Sequence, residues 1–591
     1  MQDDVCAKRG ETTGFRPGSP PMSSHWWRGA TLYQIYPRSY ADANGDGVGD
    51  LAGVTARLPY VAGLGVDGIW LSPFFTSPMR DFGYDVADHL DVDPLFGTGT
   101  DFDALLAEAH RLGLKVVIDQ VWSHTAAEHP WFQESCASRD NAKADWYVWA
   151  DAKPDGSPPN NWQSWMGGPA WRWEPRRRQY HLHNFLPQMP DLNFHCAAVQ
   201  DAVLEIARHW LERGVDGFRL DTANLYFHSR DLQDNPPMPE GQRGDAPVLM
   251  QQHVHNADQP EAPAFFERLR ALMDRCGAGG MSGTSGTSGM VGMPRMAVAE
   301  IGGAEPLPTM VAYTQGAQRL HTAYSFAFLG ERPDAAQVLR CLAPWAQGAG
   351  RQAWPSWAFS NHDAPRVASR WGRGAAGAFA FGGGTEAGPA NAGATPVTWL
   401  ALLLALRGTV FLYQGEELGL PQSTLAYEDL RDPYGLAHWP LNPGRDGCRT
   451  PFPWQADAPQ LGFSHAARTW LPVDPAHAPL AVDRQEADPA STLHATRRLL
   501  ALRRAHPALR LGDLDALVAK GDVLVLRRQH TDARGTDALL LAFNLGASSA
   551  TLALPAAVAS GAAPLFVHGG ATLHGAQLHL PPGAVMVAPL A

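Results

Sequence analysis

GVDGFRLDTAN, residues Gly214–Asn224, is the stretch whose reading decides the fold. A short apolar run, Val215 to Leu220, is bounded by glycine and ends in an arginine and a carboxylate, Arg219 and Asp221. Side chains alternate along a strand, so these two residues share a face. Alone, such a pair fits a buried structural ion pair as well as a reactive site. The pattern recurs, however. Carboxylates also close LKVVIDQ at Asp119, MAVAEI at Glu300 and WAFSNHD at Asp363. In a parallel (β/α) barrel, charged groups at the C-terminal ends of strands form the floor of the active site. Four such endings point to that arrangement and away from simple packing.

Around this centre, strand-like and helical runs alternate, which is the pattern of a parallel α/β fold. Eight strands are predicted at Thr31–Tyr36, Asp67–Ser72, Leu114–Gln120, Gly217–Asp221, Met296–Ile301, His321–Phe326, Ala358–Asp363 and Thr409–Tyr413. Helices such as Asp101–Leu112 and Asp201–Arg213 carry apolar residues at helical spacing, with a glycine just beyond each. Residues 125–194, rich in Trp, Pro, Gly and Asn, separate the third strand from its helix and are too many for a plain loop. After the helix at about Ser491–His506 come short alternating runs such as DVLVLRRQ and GAVMVAPL. The expectation is a (β/α)8 TIM barrel over residues 25–124 and 195–506. A small domain is inserted at 125–194, and an antiparallel β domain follows at 507–591.

The chain has 591 residues, 45% of them hydrophobic, enough for a large core. Its net charge of −12 offers no basic surface, so nucleic acid and anionic membranes are not expected partners. No run of 18 apolar residues occurs, and LALLLALRGTVFLY, broken by Arg407 and Gly408, reads as a helix followed by a buried strand. The six cysteines are scattered without metal-ligand spacing, which favours a reducing compartment. Residues 1–24 are polar, hold no apolar core of a signal peptide and are expected to be disordered, so the expected location is the cytoplasm. Gly277–Gly292 and Gly372–Pro396 are low in complexity and expected to be surface loops. The sequence sets no oligomeric state.

GFRLD, AVAEI, SNHD and DQVWSH resemble the four signature regions of glycoside hydrolase family 13, the α-amylase superfamily. YQIYPRSYADANGDGVGDL and RDFGYDVADH are similar to its bacterial α-glucosidases and oligo-1,6-glucosidases, and the resemblance runs from about Trp27 to the C-terminus. It implies that Asp221 is the nucleophile, Glu300 the general acid/base and Asp363 the carboxylate that holds substrate hydroxyls. Retention with such a pair needs the two carboxyls about 5–5.5 Å apart, within reach of adjacent strands. Arg219 should keep Asp221 ionised, whereas the acid needs a less cationic setting.

The resemblance further implies that His124 and His362 bind the glucose before the cleaved bond, with Tyr84 as a stacking platform beneath it. Asp81 with Arg449 would cap its 4- and 6-hydroxyl end and make the enzyme exo-acting, although a surface salt bridge fits the same pair. Phe185 reads as a wall residue from the inserted domain, with core packing as the alternative. Thr222, next to the nucleophile, goes with α-1,4 preference in similar enzymes. Three positions depart from the family pattern: Ser123 precedes His124 where asparagine is usual, Met166 replaces an expected Phe, and MPDLN replaces QPDLN.

Asp42, Asn44, Asp46, Val48 and Asp50 lie at every second position around a glycine turn, and such hard oxygen donors suit Ca²⁺ or Mg²⁺. Position twelve is Gly53, so the loop is not an EF-hand. It resembles the metal loop after the first barrel strand of related glucosidases, with Val48 giving its carbonyl and the metal structural. A solvated Asp/Asn/Gly turn is the other reading. No organic cofactor is implied. The expected substrates are small α-glucosides: maltose, short malto-oligosaccharides and aryl α-glucosides. Transfer of glucose to an alcohol or sugar would use the same site. A non-catalytic, transporter-associated barrel is the reading from another class, but this chain keeps all three carboxylates and has no span.

Overall fold

The computed structural model describes residues 25–243, 246–277, 293–303, 305–372, 393–554 and 563–590. The expected disordered 1–24 tail, most of the Gly277–Gly292 insertion and residues 373–392 of the Gly/Ala-rich segment lie outside them.

Eight parallel strands form the barrel: β1 Thr31–Ile35, β2 Gly68–Leu71, β3 Lys115–Gln120, β4 Gly217–Leu220, β5 Met296–Ile301, β6 Thr322–Ser325, β7 Ser356–Ala358 and β8 Thr409–Tyr413. Their order is β6-β5-β4-β3-β2-β1-β8-β7, and a parallel bridge from Ala323 to Pro355 joins β6 to the residues entering β7. Leu32, Trp70, Val117, Val298, Tyr324 and Phe411 form one cluster inside. The alternate residues, such as Ile69, Ile118, Phe218 and Ala299, pack in the larger outer core with the helices. Period-two alternation thus sorts each strand between a filled interior and the helix layer.

The helices close each turn for local reasons. Gly99–Arg111 begins on a Thr98–Asp101 capping box, two residues ahead of the predicted start. Ala197–Arg213 ends at Gly214, whose φ of +113° suits glycine and turns the chain into β4. β7 lies earlier than the predicted Ala358–Asp363 and shares only Ala358 with it; past the strand the Asn361 side-chain carbonyl accepts the N–H groups of Asp363 and Ala364. That local turn competes with the ladder and lifts His362 and Asp363 above the strand.

Between β3 and β4 the inserted segment holds a three-stranded antiparallel sheet, Trp149–Ala150, Gln179–Leu182 and Trp171–Glu174 in that spatial order. Its own core includes Val148, Trp162, Trp171 and Leu182. The C-terminal region is antiparallel. A five-stranded sheet with Asp513–Lys520, Val523–Asp532 and Gly535–Asn544 packs on a three-stranded one through Val525, Leu540, Leu578 and Met586. Among the described residues no helix is long and apolar enough to cross a membrane.

Candidate active site

Strand register sets the centre. Asp119 on β3 lies beside Arg219 on β4, and Glu300 on β5 lies beside Tyr324 on β6. Arg219 is fully buried and its fork is saturated: Nη1 donates to Asp119 at 2.7 Å and Asp221 at 2.6 Å, while Nη2 meets Glu300. The Tyr324 hydroxyl accepts from Arg219 Nη2 at 3.1 Å and donates to Glu300 at 2.8 Å. One guanidinium therefore bridges both carboxyls. This corrects the expectation that the acid sits in a less cationic setting than Asp221, because β4 and β5 are adjacent and the planar fork spans them.

Burial raises both carboxyls above the usual carboxylate range. It pushes Glu300 up to about 7 against the opposing Arg219 charge, helped by Asp221 and Asp363. Asp221 is raised, again first by burial and against Arg219, to about 6. A raised Glu300 suits a general acid that must hold its proton, whereas the raised Asp221 corrects the expectation that Arg219 outweighs burial there.

Thr222 continues β4 with φ +40° and ψ +45°, a left-handed conformation that a β-branched residue rarely adopts. The strain is held by its contacts. Its N–H donates to Glu300 at 3.2 Å, and its hydroxyl lies 3.2 Å from Asp221 and 3.0 Å from Ser123. With Ser123 donating to His124, the single hydroxyl proton of Thr222 serves either Asp221 or Ser123, so this hydroxyl sits against the nucleophile and not on an acceptor sugar.

His362 is sandwiched between the rings of Tyr36 and Tyr84, at 5.6 and 5.1 Å. Gln34 Nε2 donates to its Nδ1 at 2.8 Å, so the neutral ring carries its proton on Nε2, 3.2 Å from Asp363. Burial holds this histidine well below its usual range, hence neutral. Tyr84 has one face against His362, and its hydroxyl donates to Asp119 at 3.1 Å. His124 is buried with both nitrogens engaged: Nε2 donates to the Tyr84 carbonyl and Nδ1 accepts from Ser123. A sugar hydroxyl would have to displace the carbonyl to reach it. Phe185 arrives from the inserted segment, half-buried, with its ring 5.2 Å from that of His124.

The capping pair needs correction. Asp81 is held by Arg445 at 2.5 Å, not by Arg449. Arg445 also donates to Asp432 at 2.8 Å and reaches Asp363 at 3.3 Å. Arg449 instead donates to the His362 carbonyl at 2.7 Å and to Asp363 at 2.9 Å. Both arginines lie on the segment after β8, separated by a 3₁₀ turn at Asp446–Cys448 that aims them differently. Burial opposes ionisation of Asp363, but His362, Arg445 and Arg449 reverse it and hold its carboxyl far below the usual range. With His362 itself neutral, the two guanidiniums are the effective charges. All these groups are almost completely buried, so the Asp81–Arg445 pair is not a surface salt bridge.

The α-amylase catalytic-domain family model matches residues 34–512. The chain belongs to the α-amylase family, glycoside hydrolase family 13. A probable α-glucosidase of Rhizobium meliloti (strain 1021) is 50% identical over 538 residues, covering 90% of this chain and 91% of that protein. An oligo-1,6-glucosidase of Parageobacillus thermoglucosidasius is 32% identical, covering 90% and 93%. Among solved structures, the α-glucosyl transfer enzyme XgtA superposes with a TM-score of 0.85 at 48% identity, over 96% of this chain and 99% of that one.

Against this glycoside hydrolase family 13 membership, the sequence reading missed Arg445, Asp432, Tyr324 and Gln34. Arg445 was available in GRDGCR, four residues before Arg449. The others carried no signal, since a lone Tyr, Gln or Asp in an apolar or loop context does not announce its partner.

The Asp42–Asp50 loop stands apart from this centre. Asp42 accepts the N–H groups of Gly45 and Gly47 and the Ser464 hydroxyl. Asn44 accepts from Asp46, and Asp46 from Val48. Asp50 accepts from Ala43, Asn44 and Gly53, capping the helix Leu51–Leu64. In kind these oxygens fit a hard cation, and each keeps a further lone pair. Among the described residues, however, no three Asp, Glu, His or Cys groups converge around one metal position.

Proposed function

We propose that this chain is a retaining, exo-acting α-glucosidase that releases or transfers terminal glucose from maltose-like α-1,4-glucosides. What carries the reading is the shared guanidinium: Arg219 joins Asp221 and Glu300 at the ends of adjacent strands. Asp221 attacks the anomeric carbon while Glu300 protonates the leaving oxygen, giving a covalent glucosyl-enzyme. Glu300, now ionised, takes the proton of water or of an acceptor hydroxyl and the ester is cleaved. Asp363, held ionised by Arg445 and Arg449, stands ready for substrate hydroxyls and the cationic transition state. Asp81, with Arg445 and Asp432, supports a pocket closed at the non-reducing end, as removal of single terminal glucoses requires.

Expected substrates are maltose, short malto-oligosaccharides and aryl α-glucosides. Incubation with p-nitrophenyl α-glucoside should release p-nitrophenol, and maltose should give free glucose. Failure with both would exclude the reading. A second outcome, new oligosaccharides or glucosides outweighing glucose, is favoured by the likeness to the α-glucosyl transfer enzyme XgtA. The ratio of glucose to transfer product decides between them.

The Asp42–Asp50 loop is proposed to take one structural Ca²⁺ or Mg²⁺, supported by its all-oxygen donor set. That cation would add rigidity between the end of β1 and Ser464 and take no part in the glycosyl chemistry.

A further inference from the structure

The opposite end of the barrel carries a second polar cavity. It has a volume of about 280 Å³ and is lined by residues that precede strands: His25, Trp27 and Arg28 before β1, His321 before β6, and Trp354 before β7, with Arg270 from the helix Ala262–Gly277. All the strands run in one direction, so this hollow faces away from Asp221 and Glu300. The size lies just below the range of about 300–1,000 Å³ for small-molecule pockets.

Its charge is unusual for a protein of net charge −12. The Arg28 guanidinium lies 5.2 Å over the Trp27 ring and 5.5 Å over that of Trp354. Among the described residues it makes no hydrogen bond or ion pair, and its Nε is buried without a partner. Arg270 spends Nε on Asp274 and Nη1 on the Arg319 carbonyl, and its Nη2 makes no hydrogen bond among the described residues. Arg407 stacks on Trp354 at 4.8 Å from its guanidinium; its buried Nε and Nη1 lack hydrogen-bond partners, with the Asp513 carboxylate 4.0 Å from Nε. Burial and the Arg270 charge together lower Arg28, and Arg28 in turn helps to lower His25. Asp274 pairs with Arg270 and Asp513 lies 4.0 Å from Arg407, so Arg28 is the cation left without a carboxylate partner among the described residues. Arg28 is half-buried: its Nε is shut off from water without an acceptor, while the rest of its planar fork stays open toward the cavity and matches an oxyanion.

We propose that this cavity is a binding site for a small oxyanion, phosphate-like in charge and geometry, with Arg28 and Arg270 as its clamps and Trp27 and Trp354 as its walls. The space beyond a single phosphate admits the ring of a phosphorylated sugar. Free phosphate and a sugar-borne phosphate share the clamping chemistry and differ in whether that space is filled.

The test is thermal melting of the whole protein against sodium phosphate, glucose 6-phosphate and sodium chloride at matched ionic strength. A saturable rise in Tm with phosphate or glucose 6-phosphate, absent with chloride, is expected. The half-saturation concentration should rise at least tenfold in Arg28→Gln and, separately, in Arg270→Gln, which guards against one variant failing to fold. Hydrolysis of p-nitrophenyl α-glucoside should stay unchanged in both, since neither residue touches the active site. Tighter saturation by glucose 6-phosphate would assign the sugar-borne form, and equal saturation the free ion. No saturable effect, or an effect that survives in every folded variant, would overturn the proposal.

Discussion

At the scale of single residues, the division of labour between Asp221 and Glu300 gives the sharpest tests. Glu300→Gln should load an activated α-glucosyl fluoride and then stall, visible by mass as one added hexosyl group, whereas Asp221→Asn should never load. Loading of Asp221→Asn would reverse the assignment. The same pair fixes the pH dependence of kcat/KM. Activity needs Asp221 ionised, so it falls as pH drops through about 6, and Glu300 protonated, so it falls again as pH rises through about 7. A bell with both limbs displaced above the usual carboxylate range is the expected profile; a plateau reaching pH 9 would show that Glu300 is not the titrating acid. Thr222 has a different role from the one its sequence position suggests. Its hydroxyl lies against Asp221 and Ser123, so Thr222→Val removes a hydrogen bond of about 0.5–1.5 kcal/mol from the nucleophile side. Turnover of both maltose and isomaltose should then fall, by roughly two- to tenfold. A change in the maltose-to-isomaltose ratio alone, with kcat/KM on maltose intact, would restore the acceptor-side role.

At the scale of elements, the strand ends were legible and the loops between them were not. β4 and β5 could be read because apolar runs closing in Asp221 and Glu300 carry their own periodicity, and register then follows from parallel pairing. Arg219 was readable as the partner of Asp221 two residues away, but not as the partner of Glu300, because that contact exists only once β5 lies beside β4. The choice between Arg445 and Arg449 was harder still. Both sit in GRDGCR, and only the turn between them decides which one meets Asp81, 364 positions away in sequence. The segment after β8 is thus a single structural piece whose Arg445 neutralises Asp81, Asp432 and part of Asp363. Arg445→Gln should strand those carboxylates. Breaking a buried pair in this way costs about 3–5 kcal/mol, so Tm should drop clearly and KM for maltose should rise at least tenfold. If Arg445→Gln leaves KM near the native value while Arg449→Gln raises it, Arg449 would regain the capping role.

For the whole molecule, stability depends on how distant segments are tied to the barrel, and the Asp42–Asp50 loop is one such tie. It follows β1 and meets residues more than four hundred positions later: Asp42 N–H donates to the Phe463 carbonyl, Ser464 donates to Asp42, and Trp470 N–H donates to Gly47. Gly47 is needed there, since its φ is +93° and a Cβ would come 2.3 Å from the Arg468 carbonyl oxygen. A cation held by this loop would bind the folded chain alone and raise stability by mass action, by about 2.7 kcal/mol at a hundredfold excess over Kd. Chelator should therefore lower Tm by a few degrees, and added Ca²⁺ or Mg²⁺ should restore it. Asp46 is exposed and among the described residues accepts only the Val48 N–H, so Asp46→Ala should abolish the chelator effect with little other damage. Activity at low temperature should persist through chelation, because Asp221, Glu300 and Asp363 lie on other strands' ends. Immediate loss of activity with the fold intact would make the metal catalytic. A Tm indifferent to chelator and to both ions would mean that the loop is closed by its own N–H groups alone.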